Sequence, residues 1–536
     1  MSMNFYRISL LVQMTKRYRV WGLIMATIFS CFLSGCALPS LADRSTSTAL
    51  SKEEGLQTSL GKTLSPIANQ YPEQSGILML SDAVDAFAAR VMLARVAEKT
   101  LDIQYYIWRN DITGTLLLQA IHQAADRGVR VRLLVDDNGV DGMDDLFSIL
   151  DTHPNIEVRL YNPFMIRRPK VLGYFTDFRR LNRRMHNKSM TVDNQLVILG
   201  GRNIGDEYFG AKDGVLFADL DVLAAGDVVD AISKDFDVYW QSQSAYPIAS
   251  ILGKKSEADM QYIIEKALSV ERNPKAQQYI EAIKSSNFVQ NLNAGKTAFN
   301  WSKVEIVSDD PKKTLERAKK KDLISAQLQR ALGEPQRSLV MVSPYFVPTV
   351  AGTNMFTALA EKGVDISILT NALEATDVSA VHAGYAKRRE ALIKAGIKLY
   401  EMRAQPGTTG PRGVSKILGR RGVFGSAGAS LHAKTFTVDD ARLFIGSFNF
   451  DPRSIHLNTE LGVVIHNPEL AKMLTNTFIE RIADNAYEVK INDAGKLIWI
   501  EHRDAEKVIH ETEPGVGMLK RTWVNFIQLL PIDWLL

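Results

Sequence analysis

The chain has 536 residues, with 64 Lys and Arg against 60 Asp and Glu and a formal net charge of +4. That length leaves room for about two or three domains. The apolar and charged fractions are those of a globular protein, and the near balance of charge excludes any argument about partners from global charge. Two cysteines, Cys31 and Cys36, exclude a disulfide framework.

The first segment reads as a targeting sequence. Lys16, Arg17 and Arg19 form a basic region, and Val20 to Leu33 is an apolar run too short to span a bilayer comfortably. It ends in Leu33-Ser34-Gly35-Cys36. Small residues before a cysteine at the end of such a run resemble the bacterial lipobox. Residues 1–35 are therefore expected to be a lipoprotein signal peptide and Cys36 the lipidated residue; an uncleaved anchor is the alternative. Ala37, rather than Asp, follows the cysteine, and by resemblance to bacterial sorting rules this favours the outer over the inner membrane, facing the periplasm. Residues 36–70 are polar with weak periodicity and are expected to form a flexible tether.

Domain one is expected over 71–250. ILML is a short strand, and Ser81-Asp82 caps a helix over AVDAFAARVMLARVAEKT. LDIQYYIW is a buried strand followed by a turn at Gly114, LLLQAIHQAADRG a helix with a glycine stop, and VRVRLLVDD a strand. This alternation predicts a mostly parallel sheet covered by helices. His122, on the second helix, has no partner motif and reads as structural or surface. Residues 251–298 are helical and charged, a linker or a cover for one face. Domain two, over 299–500, repeats the order: VEIVSDD, LISAQLQRALGE, RSLVMVSPYF, MFTALAEKG and VDISILTN. The repetition predicts an internal duplication related by a pseudo-two-fold, with Tyr105 matched to Tyr345. His382 and His456 are expected to pack or to lie at a rim. The apolar stretch WVNFIQLLPIDWLL, within 501–536, suits membrane-interface contact or docking on the core equally.

One stretch occurs in both halves. Residues 186–203 read HNKSMTVDNQLVILGGRN and residues 432–449 read HAKTFTVDDARLFIGSFN. Two such matches with the same tail arise by chance in about one chain in several thousand, on ordinary composition, so the pair reads as functional. His and Lys two apart share one face of an extended strand. The Asp-containing turn and second apolar run predict a hairpin. Lysine suits phosphate as a point charge, and histidine serves as nucleophile or general acid near neutral pH. Facing copies thus make an anion site of His186, Lys188, His432 and Lys434, with Asn203 and Asn449 as amide donors. No cysteine cluster, H-E-x-x-H or dense Asp group suggests a metal, and no cofactor is expected. An imidazole needs an orienting carboxylate; Asp219 and Glu460, each in an acidic-apolar stretch after its motif, are the candidates.

Basic side chains flank the motifs. Arg167, Arg168, Lys170, Arg179, Arg180, Arg183 and Arg184 precede the first, among Phe164, Tyr174, Phe175 and Phe178; Arg412, Lys416, Arg420 and Arg421 precede the second in a glycine-rich loop at 405–429 expected to be a lid. Such stretches suit an anionic membrane surface or a nucleic-acid backbone.

The two motifs resemble the signature of the phospholipase D superfamily, H-x-K-x4-D-x6-G-S-x-N. The second matches in full through His432, Lys434, Asp439, Gly446, Ser447 and Asn449; the first has Gly201 where the serine stands. LDIQYYIW, RVRLLVDDNG, RLNRRMHNKS, GGRNIGDEYFG and PIDWLL are similar to the cardiolipin synthase C branch, over nearly all of the chain after about residue 70. The resemblance implies two duplicated phospholipase D-like α/β/α domains with the active site at their pseudo-two-fold interface. It also implies two-step phosphatidyl transfer, with His186 as nucleophile through a phosphohistidine, His432 as acid, the lysines and Asn203 and Asn449 on the phosphate, and Asp193 and Asp439 completing the motifs. The implied substrates are phosphatidylglycerol and a second phospholipid, phosphatidylglycerol or phosphatidylethanolamine. The implied partner is a membrane, and no nucleic acid is expected. Water as acceptor would make it a phospholipase D, and an exported nuclease of the same superfamily is the more distant rival.

Overall fold

The computed structural model describes residues 38–536 except 43, 212–215, 257–258, 297, 405–428, 504–505 and 532. The expected signal peptide, Cys36 and the cations of the glycine-rich loop lie outside the described residues. Seventeen strand-to-strand ladders join both halves into one sheet. From edge to centre the first half runs Ala245–Pro247, Ile156–Tyr161, Arg130–Gly139, Thr100–Ile107, Ser189–Val192, Leu196–Gly200, Asp221–Gly226 and Ser75–Leu80. From centre outward the second runs Asn300–Ser308, Leu461–His466, Arg442–Gly446, Thr435–Val438, Ser338–Val342, Asp365–Asn371 and Lys398–Met402. Ser75–Leu80 pairs with Asn300–Ser308 at the centre. Ala486–Ile491 follows as the eighth strand of the second half, opposite Ala245–Pro247 in the first, so the orders mirror one another over eight strands, and Leu497–Arg503 and Glu506–His510 extend the second edge.

Only three strands in each half are parallel to one another: Thr100–Ile107 with Arg130–Gly139 and Ile156–Tyr161, and Ser338–Val342 with Asp365–Asn371 and Lys398–Met402. The expected mostly parallel sheet is corrected on this point. The motif hairpin inserts antiparallel beside the parallel set, and every strand from there to the centre is antiparallel. Gly114 also departs from the expected turn. It sits in the first turn of helix Ile112–Asp126, where a Cβ would lie 1.9 Å from the Arg109 carbonyl oxygen.

The two motif turns explain their aspartates. Asp193 and Asn194, and Asp439 and Asp440, all have φ between +51° and +56°, a left-handed conformation that Asx side chains tolerate better than most. The Asp193 carboxylate accepts the backbone N–H groups of Glu98, Lys99 and Thr100 at 2.8–2.9 Å. Asp439 accepts those of Gln336, Arg337 and Ser338 at 2.7–3.1 Å. Each aspartate therefore ties its hairpin turn to the start of the neighbouring strand. Both carboxylates are thus engaged by backbone donors of the neighbouring strand.

The same contacts set the register between halves. Thr100 matches Ser338, and Trp108, bridged to Ile204, matches Phe346, bridged to Phe450. Tyr345 is then the counterpart of Ile107, and Tyr105 that of Ser343, which corrects the expected match of the two tyrosines. The Tyr105 hydroxyl is buried and accepts from Arg90 Nε at 3.0 Å, beside the Arg90–Asp221 ion pair.

The expected tether is docked from Arg44 onward. Arg44 donates to the carbonyls of Ser242 and Gln241 at 2.5 and 2.6 Å. Arg159, Arg132 and Arg130 donate to the carbonyls of Ser45, Ser47 and Thr48 at 2.6–2.8 Å. Helices Lys52–Gly55, closed by a Ser51–Glu54 capping box, and Ser59–Ala68 follow. A polar segment is held here by backbone carbonyls that accept from guanidinium groups, those of Arg132 and Arg159 fully buried, not by apolar periodicity. Residues 251–298 form helices Met260–Glu271, Pro274–Lys284 and Asn287–Asn293 over the first half, with Tyr279 buried and donating to the Phe209 carbonyl at 2.9 Å.

Replacing either turn aspartate by alanine strands three backbone donors. Asp193→Ala and Asp439→Ala are each expected to cost about 2 kcal/mol, read as a lowered thermal unfolding midpoint, with the asparagine variants in between. An unchanged midpoint would contradict the tie.

Candidate active site at the pseudo-two-fold

Each motif histidine is delivered by pairing with the other half. His186 N–H donates to the Thr459 carbonyl at 2.8 Å, and Thr459 N–H donates to Arg184 at 2.9 Å. In the related position, Ala429–Leu431 pairs in parallel with Leu216–Ala218, and His432 N–H donates to the Ala218 carbonyl at 2.8 Å. The residues after Thr459 and Ala218 are Glu460 and Asp219. The crossing therefore sets each carboxylate against the imidazole of the opposite half: His186 Nδ1 lies 2.8 Å from Glu460 Oε2, and His432 Nδ1 lies 2.5 Å from Asp219 Oδ2. The sequence singled out both acids but not this exchange. With Nδ1 engaged, Nε2 is the nitrogen each ring has free for chemistry.

The two clamps differ in detail. Glu460 Oε2 also accepts from Ser447 Oγ at 2.5 Å, Oε1 accepts from Ser454 Oγ at 2.9 Å, and its N–H donates to Asp309 at 3.0 Å. Asp219 accepts from Leu220 N–H at 2.8 Å. Gly201, in place of the motif serine, makes room for it: a Cβ there would lie 2.0 Å from Asp219 Oδ1. The departure in the first motif is thus a steric match to the shorter carboxylate.

Lys188 and Lys434 are 2 % and 1 % exposed. Lys188 Nζ donates to its own His186 carbonyl at 2.5 Å, and Lys434 Nζ to that of His432. Burial pulls Lys188 down to about 7, opposed by Glu460 and reinforced by Lys434. Burial likewise pulls Lys434 down to about 8, opposed by Asp219. Both histidines fall to about 4: burial comes first for each, with Glu460 opposing at His186 and Lys434 reinforcing at His432. Burial would raise Asp219 and Glu460, but the facing histidines and lysines outweigh it and keep both ionised. The site is a desolvated pocket in which two carboxylates face two lysines and two imidazoles whose proton affinities burial lowers.

Aromatic rings that the sequence reading passed over frame it. Tyr106 stands edge-on to His186 at 5.0 Å, and Tyr208 edge-on to His432 at 5.2 Å. Asn203 departs from its expected role. Its Nδ2 donates to Tyr208 Oη at 3.0 Å and its Oδ1 accepts from Ile107 N–H at 3.1 Å, so it braces the ring beside His432. Asn449 is buried with its Oδ1 unpartnered. The basic stretch before the first motif is mostly neutralised within the protein, which corrects its reading as a free cationic surface. Arg167 pairs with Asp137 and Asp144, Lys170 with Asp137, Arg180 with Asp177, Arg179 and Arg183 with Glu316, and buried Arg184 with Asp136. His382 packs beside Glu513 and Arg389, and His122 pairs with Asp126 at 3.1 Å.

Binding of a dianion of constant charge tests the electrostatics. Sulfate affinity is expected to fall by about tenfold or more between pH 6 and 9, as Lys188 and then Lys434 lose their protons, each step worth roughly 1 kcal/mol. Calorimetric titration checks this, and a flat profile would contradict the lowered lysines.

The family model described as cardiolipin synthase, PLD-like domain matches the chain twice, at residues 92–240 and 328–482. Cardiolipin synthase C of Escherichia coli strain K12 is 45% identical over 477 residues, covering 89% of this chain and 99% of the relative. A cardiolipin synthase of Staphylococcus aureus strain N315 is 25% identical over 79% of this chain and 70% of its own. Among solved structures, phosphatidylserine synthase of Haemophilus influenzae superposes with a TM-score of 0.54 at 13% identity, over 89% of this chain and 99% of that one, a likeness of fold. With two motif hairpins at one interface and the matched domain present in both halves, the chain belongs to the cardiolipin synthase family of phospholipase D-like proteins.

Proposed function

We propose that the protein is a phosphatidyltransferase that makes cardiolipin from phosphatidylglycerol and a second phospholipid. The observation that carries this reading is the crossed pair of imidazole–carboxylate clamps around two buried lysines, in a chain of this family. His186 Nε2 attacks phosphorus, a P–N bond forms and the P–O bond to the headgroup alcohol breaks. His432 Nε2–H gives that alkoxide its proton. In the second half His432 takes the proton of a phosphatidylglycerol hydroxyl, whose oxygen forms the new P–O bond as the P–N bond breaks. The lysine ammonium groups hold the phosphoryl oxygens as charge builds on them.

The clamps support this division of roles. Two serine hydroxyls share the charge of Glu460, which weakens its pull on the His186 proton and favours a neutral nucleophile. Asp219 has no hydroxyl donor, so its charge is left to His432, where it opposes the lowering by burial and by Lys434. Lipidation at Cys36 would hold the protein on the periplasmic side of the envelope. Among the described residues no helix is long and apolar enough to cross a membrane.

The test is lipid analysis of cells that lack cardiolipin, expressing this protein or its His186→Ala variant. Cardiolipin from the unmodified protein alone is the expected result; phosphatidic acid instead would make it a hydrolase, and neither product would overturn the reading. The two histidines separate in rapid-quench trapping, where His432→Ala retains the phosphohistidine and His186→Ala loses it. Gly201→Ser, which restores the signature on paper, is expected to lower the transfer rate about tenfold or more, because the new side chain displaces Asp219 from His432; a wild-type rate would show that Asp219 does not need the space.

A further inference from the structure

Two apolar faces in the described structure are left in solvent. On helix Met518–Gln528, Val524 and Ile527 are buried against Leu373 and Ala383, while Leu519, Trp523 and Phe526 point outward one turn apart, with Leu519 88 % exposed. Leu529 and Leu530 extend that face. One side of the helix docks on the core, one of the two sequence expectations, and the other side is bare. The second face is the kinked helix Gly173–Leu181 with the turn before it, where Phe175 is 85 % exposed and Phe178 and Val171 are also outward.

Each face is linked to the site by a short chain of contacts. From His186 the path runs through the Tyr106 ring to Asn138, whose Nδ2 donates to Tyr106 Oη at 3.2 Å, and to Tyr174, whose hydroxyl donates to Asn138 Oδ1 at 3.1 Å, next to Phe175. On the other side Asp377, whose charge reaches Lys434, accepts from Tyr345 Oη at 2.8 Å and precedes helix Ser379–Ala386, on which the C-terminal helix packs. The two faces are joined at one residue. Arg453, four residues after Asn449, donates from its N–H to the Leu536 oxygen at 2.7 Å and from its guanidinium to the Asn182 carbonyl at 3.0 Å.

We propose that these two faces are one docking surface that seats the protein on a phospholipid leaflet, with the catalytic mouth between them. The proposal rests on the phosphatidyltransferase reading. Both lipids of that reaction keep their acyl chains in a bilayer, so the phosphorus must be reached at the headgroup layer. An amphipathic helix with stacked Trp523 and Phe526 rings is suited to that depth. A protein partner seated across both faces would instead cover the mouth through which a lipid headgroup enters.

The experiment compares two substrates of the full-length protein: phosphatidylglycerol in vesicles, and dihexanoyl phosphatidylglycerol dissolved below its micelle concentration. Leu519→Asp with Trp523→Asp, and separately Phe175→Asp with Phe178→Asp, are expected to lower the vesicle rate at least tenfold and to leave the dissolved-lipid rate within twofold. An unchanged vesicle rate, or an equal fall on both substrates, overturns the proposal. If the unmodified protein turns over neither substrate, the functional reading fails, and docking is read separately. Vesicles with brominated acyl chains should then quench a tryptophan emission component that Trp523→Phe removes, and no loss of quenching in that variant overturns docking. A dimer in light scattering that Leu519→Asp disperses would assign the face to a second copy instead.

Discussion

The fold depends on an exchange across the pseudo-two-fold. The backbone leading into each motif pairs with a segment of the other half, Arg184–His186 with Thr459 and Ala429–Leu431 with Leu216–Ala218. Because the carboxylate is the next residue in each receiving segment, one ladder fixes two things together: where the imidazole enters and what holds its Nδ1. Each motif imidazole is thus held by a carboxylate of the other half. The sheet pairing of Ser75–Leu80 with Asn300–Ser308 and a shared apolar cluster, with Val197 and Val222 against Leu443 and Val463, hold the halves in register for that exchange.

The exchange also balances a costly set of charges. Two lysines and two imidazoles are removed from water, and an unpaired buried cation is strongly destabilising. Asp219 and Glu460 supply the two negative charges among them. What remains is a site whose lysines ionise only partly at neutral pH and become fully charged as an anion arrives. The donors are already dehydrated and aimed, so little reorganisation is left for the moment when charge develops.

Much of this was legible in the residues. The duplicated motif, the strand and helix order of each half and both orienting acids could be read from spacing. The crossing could not, because spacing within a segment carries no information about which half a carboxylate faces. Polar segments misled in two directions. Residues 44–70 lack an apolar period and read as a tether, yet they lie along the protein because Arg44, Arg130, Arg132 and Arg159 need carbonyl acceptors. The cations before the first motif read as a membrane-facing patch, yet Asp136, Asp137 and Glu316 neutralise most of them. A sequence shows the charge and not its partner. The tyrosine match failed for a simpler reason: similar letters, YYIW and SPYF, lie two positions out of register once the Asp193 and Asp439 ties align the strands.

The departure at Gly201 shows how a duplicated site comes to have two different histidines. Gly201 and Asp219 belong to one half, and Ser447 and Glu460 to the other. A short carboxylate drawn against a glycine leaves His432 with a base that has few competing donors. A long carboxylate held by two hydroxyls leaves His186 with one whose charge is shared. The rings differ also in their lysines: Lys434 Nζ lies 3.0 Å from His432 Nδ1 and lowers that ring, whereas Glu460 outweighs Lys188 at His186. The difference between the two clamps lies behind the rings, in Gly201 with Asp219 and in Ser447 with Glu460.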